Sequence, residues 1–169
     1  MILQAIQNKL GVKQGITIVG DKITEWPYEV TQPDDATLQD WVNEYEAASF
    51  SKSLTALPKQ LRKATTETTI TVDGVEYECN MDTVMTLLGL IRLLEELNDP
   101  TQEVQYKGAN GFYGRTLSQL KVAGIQVGLY INTAFVAEKV TNEEVANGTI
   151  TTEEQLKARF TELMEDYEK

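Results

Sequence analysis

The alternation of short β-hairpin patterns with helical ones predicts an α+β protein, and three observations carry that prediction. Asp73-Gly74 sits between two alternating runs, residues 69–72 and 75–79, and is the strongest hairpin turn signal in the chain. Residues 82–97 form a helical run that is apolar over much more than the roughly 100° a surface helix buries. A second hairpin pattern at residues 102–107 and 112–115 leads into a long helical stretch and then a shorter one. The expected architecture is an N-terminal hairpin-helix extension, residues 1–66, followed by a hairpin-helix-hairpin-helix-helix domain, residues 67–169.

Ile2, Leu3, Ile6 and Leu10 recur at helical spacing, and Gly11 follows as a C-terminal cap. Residues 15–26 alternate loosely around Gly20-Asp21, a pair suited to a two-residue turn. Trp26-Pro27-Tyr28 ends that hairpin, because proline cannot donate to a ladder. Gln32-Pro33-Asp34-Asp35 reads as a helix start with proline in the first turn and two aspartates at the positive end of the dipole. Leu38, Trp41, Val42 and Tyr45 share a stripe, and the helix is expected to stop near Leu57, ahead of Pro58. Thr65 to Thr68 reads as a linker or strand lead-in.

A two-residue loop at Asp73-Gly74 pairs Val72 with Val75 and Ile70 with Tyr77. Ile70, Val72, Val75, Tyr77 and Cys79 then line one face, with Thr69, Thr71, Glu76 and Glu78 on the wet one. Asn80 or Asp82 caps the next helix, and Asn98-Asp99-Pro100 stops it. Exposure of Leu90, Leu93 or Leu97 on that helix would mark an interface rather than a core. The second hairpin is joined through Gly108-Ala109-Asn110-Gly111, and Thr116 caps a helix running to about Asn147. Gly124 and Gly128 share one face of it, with Gly89 as the candidate facing position. Thr151-Thr152-Glu153-Glu154 fits a capping box for the last helix, whose stripe is Leu156, Phe160, Leu163 and Met164.

The 169 residues suffice for a sizeable core. A net charge of −11 argues against a nucleic-acid partner, which needs phosphate-neutralising Lys and Arg. One cysteine, Cys79, excludes an internal disulfide and suits a reducing compartment. The start, Met1-Ile2-Leu3-Gln4, does not read as a secretory leader. The apolar stretch 122–137 is too short for a membrane span and holds Gln126, Asn132 and Thr133, so no membrane partner is expected.

Catalytic inventory is thin. With no histidine, the commonest general base and metal ligand is missing, and no cofactor or metal is expected. The adjacent acids Asp34-Asp35, Glu143-Glu144 and Glu153-Glu154 point apart on a helix and suit dipole and solubility roles. Glu76 and Glu78 share a strand face but sit among threonines. Ser49-Phe50-Ser51-Lys52 lacks the companion motifs of a penicillin-binding fold. Gly111-Phe112-Tyr113-Gly114 falls in a hairpin rather than between two helices, unlike an RNA-clamping glycine loop. Asn147-Gly148-Thr149 is a glycosylation sequon in form only. The candidate interaction residues are Trp26, Tyr28 and Trp41, with Lys52, Lys59, Arg62 and Lys63 as the one basic stretch. The competing reading makes the aromatics core and the basic stretch a solvated helix face.

Residues 70–77, Ile-Thr-Val-Asp-Gly-Val-Glu-Tyr, continue through Asn80-Met81-Asp82-Thr83 into an apolar helix. Together they resemble a tail-associated domain family of unknown function from phages and prophages. The resemblance covers roughly residues 67–169, with Tyr106 at the family's usual tryptophan position and Asn147 to Thr152 matching its ending. Trp26 to Trp41 resembles the opening of small proteins encoded beside phage tail-fibre genes. The resemblance implies a structural component of the virion, in the tail, baseplate or tail-fibre region. Its partners would be other phage tail or fibre proteins, with homo-oligomerisation within an assembly left open. The alternative is a tail-fibre assembly chaperone not retained in the virion, in the host cytoplasm during assembly, which acidic composition and small size suit equally well. The resemblance implies no catalytic residues.

Overall fold

The computed structural model describes residues 1–11, 15–19, 22–26, 31–99, 101–165 and 167. The chain is α+β: the described residues form five helices and three separate two-stranded antiparallel hairpins. It divides into two compact units, Met1–Ser53 and Leu54–Lys169. The division lies inside a helix, upstream of the expected boundary at 66/67.

In the first unit, α1 (Ile2–Leu10) ends on Gly11, whose left-handed φ of 66° lets its N–H reach the Gln7 carbonyl. Strands β1 (Thr17–Val19) and β2 (Lys22–Glu25) pair antiparallel with a bulge between Thr17 and Ile18. The expected Gly20-Asp21 turn lies outside the described residues, as do Pro27, Tyr28 and Pro100. Helix α2 (Asp35–Thr66) begins where the Asp34 carboxylate accepts the Thr37 N–H at 2.8 Å. Asp34 is therefore the N-cap, and Pro33 precedes the helix instead of occupying its first turn. Lys9 pairs with Glu44 at 2.6 Å, and Ala5, Ile6, Leu38 and Val42 are buried.

The expected stop before Pro58 does not occur. Proline removes one backbone donor, but Leu54, Leu57 and Leu61 pack around Ile150 and Leu156, and Pro58 itself is fully buried. That apolar burial offsets the roughly 3 kcal/mol an interior proline costs. Thr65 and Thr66 form the last turn rather than a linker. The Thr68 hydroxyl closes the helix on the Thr65 carbonyl at 2.7 Å.

Strands β3 (Thr69–Val72) and β4 (Val75–Glu78) pair in the expected register, Val72 with Val75 and Ile70 with Tyr77. Asp73 and Gly74 both take positive φ, 49° and 74°. Helix α3 (Met81–Leu97) starts on Asn80, whose side chain accepts the Thr83 N–H at 2.8 Å, and ends on left-handed Asn98. Strands β5 (Glu103–Gly108) and β6 (Gly111–Thr116) pair through to Gly108 and Gly111, so the loop is only Ala109-Asn110. Gln119 accepts the Thr116 N–H at 3.0 Å and opens α4 (Leu117–Ala146). Helix α5 (Glu153–Glu165) is capped one residue later than expected. Thr152 and Gln155 exchange reciprocal 3.2 Å bonds, which leaves Glu154 outside the box.

The main core joins β4, α3, β5 and α4 around Val75, Tyr77, Cys79, Leu87, Leu94, Tyr106, Leu120 and Val127. The two hairpins of this unit abut directly. Tyr77 stacks on Tyr106 at 4.8 Å, and the Ala109 N–H donates to the Glu76 carbonyl at 2.9 Å. A Cβ on Gly108 would stand 2.8 Å from Val75 Cγ1 and 2.9 Å from the Glu76 carbonyl oxygen. Arg115, 6% exposed, donates to the Asp73 carbonyl at 3.2 Å and lies 5.5 Å from the Tyr113 ring centre. Its Nε has no hydrogen-bond partner among the described residues.

Gly89 does not face Gly124. It has open space around it, while Gly124 receives Ile91 at 3.5 Å. Two alanine substitutions separate these roles. Gly108→Ala should destabilise the chain by about 1–3 kcal/mol, because the neighbouring carbonyl belongs to a paired strand and cannot retreat. Gly89→Ala should stabilise it by about 0.5–1 kcal/mol through helix propensity alone. Urea unfolding of the two variants checks both signs.

Candidate interaction surface

The expected interaction residues divide between the two units. Trp26 and Trp41 are half-buried in the first unit, where Lys52 is exposed; Tyr28 lies outside the described residues. In the second unit Arg62 is held rather than free. It pairs with Glu138 and stacks over Phe135, 4.6 Å from the ring centre. Lys59 and Lys63 line a groove of about 490 Å³ with Gln60, Glu138 and Asn142. This is a mixed polar groove with an acid already in it.

Carboxylates are likewise engaged at the surface. Glu144 takes Arg159 through both oxygens at 3.2 Å, Glu153 pairs with Lys157, and Glu143 pairs with Lys139. Among the described residues no group of three or more His, Cys, Asp or Glu is placed to hold a metal. Asn147 accepts the Thr149 N–H at 3.0 Å and hydroxyl at 2.6 Å, closing the turn between α4 and α5.

The surface that stands out is apolar. Val84, Leu88 and Ile91 of α3 and Gly124 and Ile125 of α4 form a groove of about 270 Å³, rimmed by Lys121. Lys121 is paired with Glu95 at 2.6 Å across the two helices. Met81, Met85 and Leu88 are exposed on this flank of α3, and Leu93 (47%) and Leu97 (55%) on the opposite flank; Leu90 is half-buried against the core. Leu93 and Leu97 are thus not covered by the described residues. On α4, Val122, Ile125, Leu129, Phe135 and Val136 are also exposed. Reading residues 122–137 in isolation understated this helix. By length and composition the whole of α4 is long and apolar enough to cross a membrane, while a third of its most apolar window is buried in the fold. The spacing of Val122, Ile125 and Leu129 was visible in the sequence. Nothing there told which side of the helix the domain would cover.

Cys79, Tyr77 and Tyr106 lie buried in the main core. Burial pushes the Cys79 thiol from its ordinary 9.0 up to about 11, with a backbone hydrogen bond at Ile70 opposing. Burial also raises Tyr77, against the opposing charge of Arg115, and raises Tyr106, with Tyr77 adding to the shift. Comparison with protein-family models, with curated proteins and with solved structures found no match to this chain.

A pH effect follows from these shifts. Each group stays protonated in the folded chain at a pH where the unfolded chain has begun to ionise. Their contribution to stability is therefore complete below pH 9.0 and is lost as pH rises toward about 11. Thermal unfolding across that range should show a falling midpoint. A thiol reagent at neutral pH should modify Cys79 only after denaturant is added, since a buried neutral thiol is a poor nucleophile.

Proposed function

We propose that this chain is a non-catalytic structural component of a tailed-phage particle, in the tail, baseplate or tail-fibre region, working through protein–protein contacts. The observation that carries the reading is the uncovered apolar surface of α3 and α4. Apolar patches of this kind are characteristic of interaction sites. The absence of histidine and the dispersed, ion-paired carboxylates fit a protein that binds rather than one that transforms a substrate. The phage context rests on the resemblance carried by residues 70–83 and 147–152. In this reading residues 1–66 serve as an adaptor region, and the partners are other tail or fibre proteins.

Mass spectrometry of purified virions tests the role. The chain is expected among the virion proteins at a stoichiometry matching a tail or baseplate component. Co-purification with the fibre during expression, followed by absence from finished particles, would replace this role with that of an assembly chaperone.

A further inference from the structure

We propose that the outer face of α4 pairs with the α4 of a second copy of this chain. Val122, Ile125, Leu129, Asn132 and Val136 are spaced by 3, 4, 3 and 4 residues, the a and d positions of a coiled-coil seam. The four apolar members are between 45% and 62% exposed, and Asn132 is exposed as well. The opposite side of the helix is already filled, by Leu120, Ala123, Val127, Ala134 and Ala137. A helix apolar on both sides is expected to be covered on both.

Charge selects the occupant. From Val122 to Ala137 the helix carries no charged residue, in a chain where 24% are charged. The charges that flank this stretch are neutralised within the chain: Lys121 by Glu95, Glu138 by Arg62 and Lys139 by Glu143. A basic or acidic partner would find no complement along the seam. Two copies of a molecule with net charge −11 repel through most surfaces, and a neutral stripe is where they can meet.

Size fits as well. The seam and the adjoining Leu88 offer on the order of 500 Å² of apolar side chain, close to the apolar share of the roughly 800 Å² each partner buries in a standard interface. Gly128 borders the seam with nothing within 4 Å, so a second backbone can come close there. Asn132 in mid-seam would select register and copy number, as a lone buried amide does in coiled coils.

Sedimentation velocity of the full chain at tens of micromolar tests the pairing. The expected species has twice the 18.9 kDa chain mass, and a monomer at that concentration overturns the inference. Leu129→Glu should raise the dimer dissociation constant at least about tenfold, while its far-ultraviolet circular dichroism stays that of the parent. Ile125→Ser should weaken the dimer in the same direction with less risk to the fold. Phe112→Glu, at a residue 72% exposed on the third hairpin, should leave the dimer intact. A dimer untouched by Leu129→Glu and Ile125→Ser would place the interface elsewhere and overturn the proposal. The pairing rests on reading this chain as an interaction protein, yet fails separately from it: mass in solution decides the first, virion content the second.

Discussion

A helix of 30 residues is not held straight and in place by propensity; it needs a face to bury. In α4 that face is Leu120, Ala123, Val127, Ile131, Ala134, Ala137 and Thr141, nearly all fully buried. Three alanines on it keep the helix surface shallow, so neighbouring elements can approach its axis. Both hairpins of this unit, α3 and α5 pack on α4, and the Arg62–Glu138 pair ties α2 to it. The buried Thr141 hydroxyl on this face is satisfied within the helix by the Ala137 carbonyl at 2.6 Å. Remove this burial and the other elements have no common surface left to share.

The two hairpins solve a second problem. A lone two-stranded ribbon is marginal in water. Here the ribbons lean on each other through Tyr77 and Tyr106, through the Ala109–Glu76 backbone bond, and through the glycine at 108 that lets them touch. Arg115 crosses from the third hairpin to the turn of the second at Asp73. A long cation placed this way joins turn to strand, at the cost of one nitrogen left unpaired.

Much of this was legible from local chemistry. The register of β3 and β4 followed from Asp73-Gly74, and the caps at Asn80, Asn98 and Thr116 from residue types at helix ends. The misreadings share a cause. Pro58 continues a helix because distant Ile150 and Leu156 reward its neighbours. Thr152 outcompetes Thr151 as a cap because Gln155 can return the bond. Gly124 meets Ile91 rather than Gly89, a matter of how two helices rotate about their axes. The candidate surface was half legible: the excess of apolar surface on α3 was plain, while the side of α4 left uncovered was not.

By itself the sequence determined what nearest neighbours along the chain decide: turn types, strand register, caps, and the presence of more apolar helix surface than one small domain can cover. Tertiary structure alone decided which of that surface is hidden. Apolar periodicity states that a face favours burial, but α4 is apolar on nearly every side and α3 on most of its circumference, so neither has a preferred inside. Only when the hairpins, α2 and α5 have taken their places is it settled that Val127 is core while Ile125 and Leu129, two residues to either side, face outward.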